Sequence, residues 1–243
     1  MGASIIIYPQ NIMEDGTVTV TGTADAGFPE ARLWDRSIDL FWVDTVTEAK
    51  VYHVDYGSAV SCDTLIIDKH NFNGEDMQFQ HSPDDAAWTD AVTDWTQGDN
   101  LQIAKAMAAS ASKRYWQVTV TSMSNPKCSE IFISLGYVFP VQASPNSSQA
   151  DRANVQWNRT VGGLDRSTKF GVKRRVRNYS LWLSAAEQTS FSAAMVFLDD
   201  YSKPFYIKDH AGAYFLCRFI DVPVFDFNHK THARIDVGIV EVL

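Results

Sequence analysis

HNFNGEDMQFQHSPDDAAW, residues 70–88, is the stretch on which the reading of the fold turns. Its polar density admits two interpretations: a ligand site, or a β-strand set between decorated turns. Periodicity favours the strand. Met77, Phe79 and His81 alternate with Gln78 and Gln80, as a segment with one buried and one wet face requires. Asn71 and Asn73 beside Gly74 suit a tight turn, because Asn amides bond nearby backbone and Gly accepts positive φ. Ser82, Asp84 and Asp85 are placed to cap the next turn, with Trp88 at the sandwich edge. A dedicated calcium loop needs dense, alternating carboxylates, and Glu75 with Asp76 does not supply them.

Outward from this stretch the pattern repeats. SIIIYP, TVTVTG, SIDLFWV, KVYHVDYG, CDTLIID, RYWQVTVTS and SEIFISLGYVF are short apolar or alternating runs broken by Gly, Asp, Asn and Pro. Many short strands at such spacing predict a sandwich or jelly roll. Helical periodicity is confined to short pieces such as NLQIAKAMA. VQASPNSSQADRANVQW, residues 141–157, reads as a linker or long crossover. After it, Ser184 with Glu187 forms a capping-box pattern, and Phe191, Ala194, Met195 and Leu198 make one apolar stripe. Strands flank this helix, so a small antiparallel sheet is expected to receive the stripe. The predicted organisation is mainly β: an arm over 1–29, a jelly-roll β-sandwich over 30–142, a linker over 143–157, and an α+β domain with one amphipathic helix over 158–243.

Composition bounds the function. Of 243 residues, 45% are hydrophobic and 21% charged, which is a globular balance. No run of apolar residues is long enough to predict a membrane span, and the opening MGASIIIYPQN lacks the pattern of a cleaved leader. Cys62, Cys128 and Cys217 lack both disulfide pairing and zinc spacing, so buried thiols in a reducing compartment are expected. Residues 1–150 carry 8 Lys+Arg against 19 Asp+Glu, and residues 151–243 carry 13 against 10. The two halves therefore present unlike surfaces.

Lys169, Lys173, Arg174, Arg175 and Arg177 form a dense basic run, with Tyr179 and Trp182 nearby. On an alternating strand such charges split between two faces, which argues against a phosphate track and no nucleic-acid partner is expected. A contact between subunits is the preferred reading. His229 and His232 lack the further ligands that zinc requires and read as a polar turn, so neither metal nor cofactor is expected. There is no GxSxG motif and no phosphate loop, and two carboxylates spaced for glycoside hydrolysis cannot be read from one sequence. The expectation is a protein that binds without catalysing. If it binds sugars, Trp34, Trp42, Trp88 and Trp95 are the candidates to stack on them.

Two family resemblances follow from these segments. PEARLWDRS, VYHVDYG, CDTLIIDKHNFNG, MQFQHSPDDAAWT, KRYWQVTVTS and SEIFISLGYVF, in that order, resemble the discoidin-type (galactose-binding-like) sandwich over about 110 residues. That resemblance implies sugar or lipid binding at loop tips, and calcium near the sheet rim in some members. TVGGLDRSTKFGVKRRVRNYSLWLSAAEQTSFSAAMVFLDDYSKPFYIKD, YFLCRFIDVPVF and DVGIVEVL are similar to the small domain of bacteriophage tail-tip proteins. It implies a structural virion protein of the tail or baseplate, made in the host cytoplasm, whose partners are further copies of itself and other tail proteins. The alternative is a carbohydrate-binding protein attaching to host-surface glycans.

Overall fold

The structure is a computed structural model and describes residues 4–139, 148–159, 165–199, 201–227 and 232–242. The chain forms two compact units, one of residues 8–136 and one of residues 1–7 with 137–243. The unit boundaries thus fall near 8 and 136, and not at 30 and 142. Strand β1 (Ile6–Tyr8) explains the first difference, since it pairs with β11 (Tyr137–Val138) and so joins the second unit's sheet.

The first unit begins with a single helical turn, α1 (Ile12–Asp15), capped by the Asn11 side chain, which accepts from the Met13 amide. Its strands are β2 (Thr17–Val20), β3 (Trp42–Val43), β4 (Glu48–Asp68), β5 (Asp76–Ser82), β6 (Thr89–Asp90), β7 (Trp95–Thr96), β8 (Ile103–Met123), β9 (Lys127–Cys128) and β10 (Glu130–Ser134). The two long strands organise the rest. β4 and β8 pair antiparallel with irregularities between Asp55 and Val60 and between Cys62 and Thr64. On one side of these breaks β4 also pairs with β2, and β8 with β5; on the other, β4 pairs with β10. Bulges let strands turn a corner between sheets. Both arms share one core, with Tyr52, Val54, Phe79, Trp116 and Val118 from the first and Leu65, Ile67, Ile131 and Ile133 from the second. This is a β-sandwich.

The segment NLQIAKAMA is not helical. Ile103 to Ala106 pair with Thr64 to Ile67, and Ile103 is buried. Alanine has little strand preference of its own, so pairing with a neighbouring strand overrode local propensity. PEARLWDRS folds as a 3-10 turn over Glu30–Leu33 that buries Leu33.

The interior holds polar groups with defined partners. The Lys50 ammonium is fully buried 2.7 Å from Asp44 Oδ2, and Glu48 lies 3.2 Å away at the margin. Asp44 also accepts from the amides of Thr23 and Val46. Gly22 lies against this pair at φ +111, where a Cβ would stand 1.8 Å from Asp44 Oδ2. His70 is a second strut. Its Nε2 donates to the Leu101 carbonyl at 2.6 Å while Nδ1 accepts from the Phe72 amide at 3.1 Å, which fixes a neutral tautomer. Its ring also stacks on Phe72.

The second unit is an antiparallel sheet carrying one amphipathic helix. Its strands are β12 (Ser148–Arg159), β13 (Asp165–Ser184), β14 (Phe205–Lys208), β15 (Tyr214–Phe219), β16 (Phe225–Asp226) and β17 (His232–Glu241). The order is β11-β1-β14-β15-β17-β13-β12, with β16 also on β17. Residues 148–157, expected as linker, belong to strand β12 because they pair with β13; residues 143–147 lie outside the described set. Helix α2 (Ala185–Met195) starts at a complete capping box: the Ser184 amide donates to Glu187 Oε2 and the Glu187 amide to Ser184 Oγ. It buries Phe191 and Met195 against Leu181, Phe205 and Phe215, and a short 3-10 turn adds Leu198.

Burial pushes the His70 pKa below the usual imidazole value, the Leu101 carbonyl opposing it, and burial acts likewise on His81. The unfolded chain then takes up protons that the folded chain excludes. Stability is therefore expected to hold above about pH 6.5 and to fall as pH drops through the imidazole range. Thermal unfolding followed from about pH 7.5 to about pH 5 should show this slope, and His70→Gln should flatten it. An unchanged slope in that variant would remove His70 as its source.

Candidate functional site

Strand parity generates the site. On β4 the core takes Tyr52 and Val54, so Val51, His53 and Asp55 face outward. On β8 the core takes Trp116, Val118 and Val120, leaving Tyr115, Gln117, Thr119 and Thr121 outside. On β5 it takes Met77 and Phe79, leaving Asp76, Gln78 and Gln80 outside. Registration aligns these side chains in rows: Asp55 with Tyr115, then His53, Gln117 and Gln80, then Val51, Thr119 and Gln78. Amide and hydroxyl groups link the rows across strands. Gln117 Nε2 donates to Gln80 Oε1 at 2.7 Å, and Thr119 Oγ1 to Gln78 Oε1 at 3.1 Å.

An aromatic platform occupies one end of this face. The His53 ring stacks with Tyr115 at 5.9 Å between centroids and meets Trp88 edge-on at 5.8 Å. Its Nε2 lies 2.9 Å from Asp85 Oδ1. Asp85 adopts φ +63 in the turn after β5, a conformation that Asp tolerates better than most residues. Asp84 builds that turn by accepting from the Ala86 and Ala87 amides and from Ser82 Oγ. Beside the platform, Arg114 grips Asp55 through Nε and Nη2, each at 2.7 Å, with its guanidinium 4.8 Å from the Tyr115 ring centroid. The Arg114 hydrogen bonds, with a smaller contribution from the Gly57 amide, hold the Asp55 carboxyl down at about 2. All these groups are partly exposed. The platform therefore offers ring surface ringed by fixed donors and acceptors, the chemistry that orients a small polar ligand.

A cleft of about 620 Å³ lies at the other end of the same face, bordered by Val51, Gln78, Asp94, Trp95 and Thr119. The loop carrying Asp94 and Trp95 is held over β5 by the pairing of β7. The Gln78 amide donates to Asp94 Oδ2 at 2.7 Å.

The four tryptophans separate. Trp88 and Trp95 sit at the platform and the cleft; Trp34 is partly buried against the sandwich core. Trp42 is corrected from surface candidate to core residue, being fully buried and edge-on to Tyr52, so no sugar can reach it. His53, Asp85, Arg114 and Tyr115 carry no motif and were missed. Parity held the signal, since VYHVDYG places His53 between two residues of the apolar phase.

The basic run also divides. Lys173 and Arg174 are exposed on β13, and Arg175 lies over the Phe215 ring with Glu241 at 3.8 Å. Arg177 is corrected from interface candidate to interior residue: it is buried, with Asp209 at 3.9 Å. The side chain of Lys169 lies outside the described set, as does His229, while His232 opens β17 exposed. Among the described residues no three His, Cys, Asp or Glu side chains converge as a metal shell, and no helix is long and apolar enough to cross a membrane.

No family model and no curated protein matches the chain. Solved structures do. A chitosan-binding module from a chitosanase/glucanase of Paenibacillus sp. IK-5 is 20% identical, covering 51% of this chain and 98% of its own, at a TM-score of 0.43. The family 32 carbohydrate-binding module of C. perfringens NanJ, solved with galactose, is 14% identical over 53% of this chain and 98% of its own, at 0.43. A Ruminococcus gnavus GH29 fucosidase is 15% identical over 54% of this chain, which spans 28% of the enzyme, at 0.46. None of these three is a phage tail protein, and at such scores they carry no inference about what this chain binds.

Removing the guanidinium is the direct check on the platform's electrostatics. In Arg114→Ala the Asp55 carboxyl is expected to return from about 2 toward the ordinary carboxylate range, read by carbon-detected NMR titration. A titration that stayed low would assign the shift to the Gly57 amide instead.

Proposed function

We propose that the chain is a non-catalytic glycan-binding protein and that the outer face of the sandwich is its binding surface. The observation that supports this most is the platform itself. His53, Trp88 and Tyr115 bring three rings together at a solvent-facing position, and Arg114, Asp55 and Asp85 border them with oriented polar groups. A sugar presents an apolar face of C–H groups and a rim of hydroxyls, which matches such a surface ring to face and polar group to hydroxyl. No group on the platform is asked to form or break a bond.

A second reading concerns the other unit. Ile220, Val222, Val224 and Phe227 are 45%, 61%, 73% and 69% exposed along one short run, an apolar strip that favours a protein contact. On that reading the second unit joins copies of the chain, or tail proteins of a bacteriophage virion, and the sandwich is displayed from the assembly. The two readings are compatible, because they use different units.

Each has its own test. On a glycan array the wild-type chain is expected to bind, and Trp88→Ala is expected to lose about tenfold or more in affinity without a change in unfolding temperature. A wild-type chain that binds no glycan sinks the first reading. For the second, sedimentation velocity should show association that Val224→Asp abolishes; a strictly monomeric wild-type chain across accessible concentrations would count against copy-to-copy assembly.

A further inference from the structure

The cleft holds its carboxylates differently from the platform, although both lie on one face. At the platform Asp55 is paired with Arg114, and Asp85 is bonded to the His53 ring. In the cleft, Asp94 uses Oδ2 to accept from Gln78 and Asp76 uses Oδ1 to accept from Thr96. The second oxygen of each has no hydrogen-bond partner among the described residues. Lys105 is held at Trp95, its Nζ 4.5 Å from the ring centroid, and does not line the cleft. The cleft is thus an anionic recess with an aromatic wall. It sits in a half of the sequence that carries 8 Lys+Arg against 19 Asp+Glu.

Resting on the glycan reading above, we propose that the cleft is a second subsite that takes a positively charged, amino-bearing unit of an extended glycan whose other units lie on the platform. Charge complementarity names the occupant. An ammonium group is attracted by the Asp76 and Asp94 carboxylates, whereas a sulfated or uronic chain meets a repelling field. Length supports the extension. Tyr115 at the platform and Thr121 at the far wall of the cleft are on one strand, about 20 Å apart at the rise of an extended chain, so filling both from end to end takes an oligosaccharide, while their near edges, His53 and Val51, are two residues apart on β4. The Gln117–Gln80 pair lies between the two, the Thr119–Gln78 pair stands at the near edge of the cleft, and both offer partners to hydroxyls.

The test is calorimetry on the full chain with glucosamine oligosaccharides, disaccharide to hexasaccharide, beside the same lengths fully N-acetylated, at a mildly acidic pH that keeps the amines protonated. Affinity is expected to rise with length, and the longer glucosamine chains to bind about tenfold tighter than their N-acetylated counterparts. Raised salt should narrow that gap. Asp76→Asn with Asp94→Asn is expected to close it, and Trp95→Ala to remove the gain from length. Equal affinity for the two series, or a gap that survives the double substitution, overturns the subsite. If neither series binds but a neutral or acidic glycan binds through Trp88, the subsite falls and the glycan reading stands. If no glycan binds at all, the reading beneath it falls.

Discussion

The two-residue repeat of the extended chain is the constraint from which the rest of the sandwich follows. Along β4, β5 and β8 successive side chains must point to opposite sides. Once Tyr52, Val54, Met77, Phe79, Trp116, Val118 and Val120 are committed to the core, every intervening residue is committed to solvent. A one-residue slip in any of the three pairings would send the whole apolar set outward, so the register is strongly held. The outer rows are the complement of the core. The same backbone pairing sets the positions of both.

Buried polar groups reinforce that register. A buried lysine is costly unless its charge is met, and Lys50 meets Asp44 at 2.7 Å inside the fold. Glu130 is fully buried as well, accepting from Asn11 Nδ2 and from the Arg36 amide, while burial pushes its carboxyl well above the usual range. Asn11 in turn accepts from the amides of Met13 and Ile133 and donates to the Ile131 carbonyl. These groups tie the first turn of the unit to its last strand, positions more than a hundred residues apart in sequence. Apolar contacts tolerate sliding; such directional bonds do not.

The outer face carries two regions of different make-up, the ring platform and the cleft. At the platform Asp55 is paired with Arg114 and Asp85 with the His53 ring, whereas at the cleft Asp76 and Asp94 each keep one oxygen without a hydrogen-bond partner among the described residues. The second unit works differently: its basic strand is partly consumed inside the molecule by Arg177, and its exposed apolar run lies on another segment. On the proposed readings, binding of a carbohydrate and attachment to a larger assembly fall to separate units of one chain.

Local patterns in the sequence determined the local structure. Alternation in DMQFQHS specified β5, the Asn-Gly turn put Gly74 at φ +89, and Ser184 with Glu187 started α2 where the capping box placed it. Each of these depends on residues within a few positions of one another. Tertiary structure alone decided what depends on distant partners: that NLQIAKAMA is a strand, that residues 148–157 pair instead of linking, and that Trp42 and Arg177 are interior. It also decided the site, since His53, Asp85, Trp88 and Tyr115 come from three separate segments that meet only when β4, β5 and β8 pair. Hydrogen bonds between strands carry no mark in the local sequence, and so neither did the face they assemble.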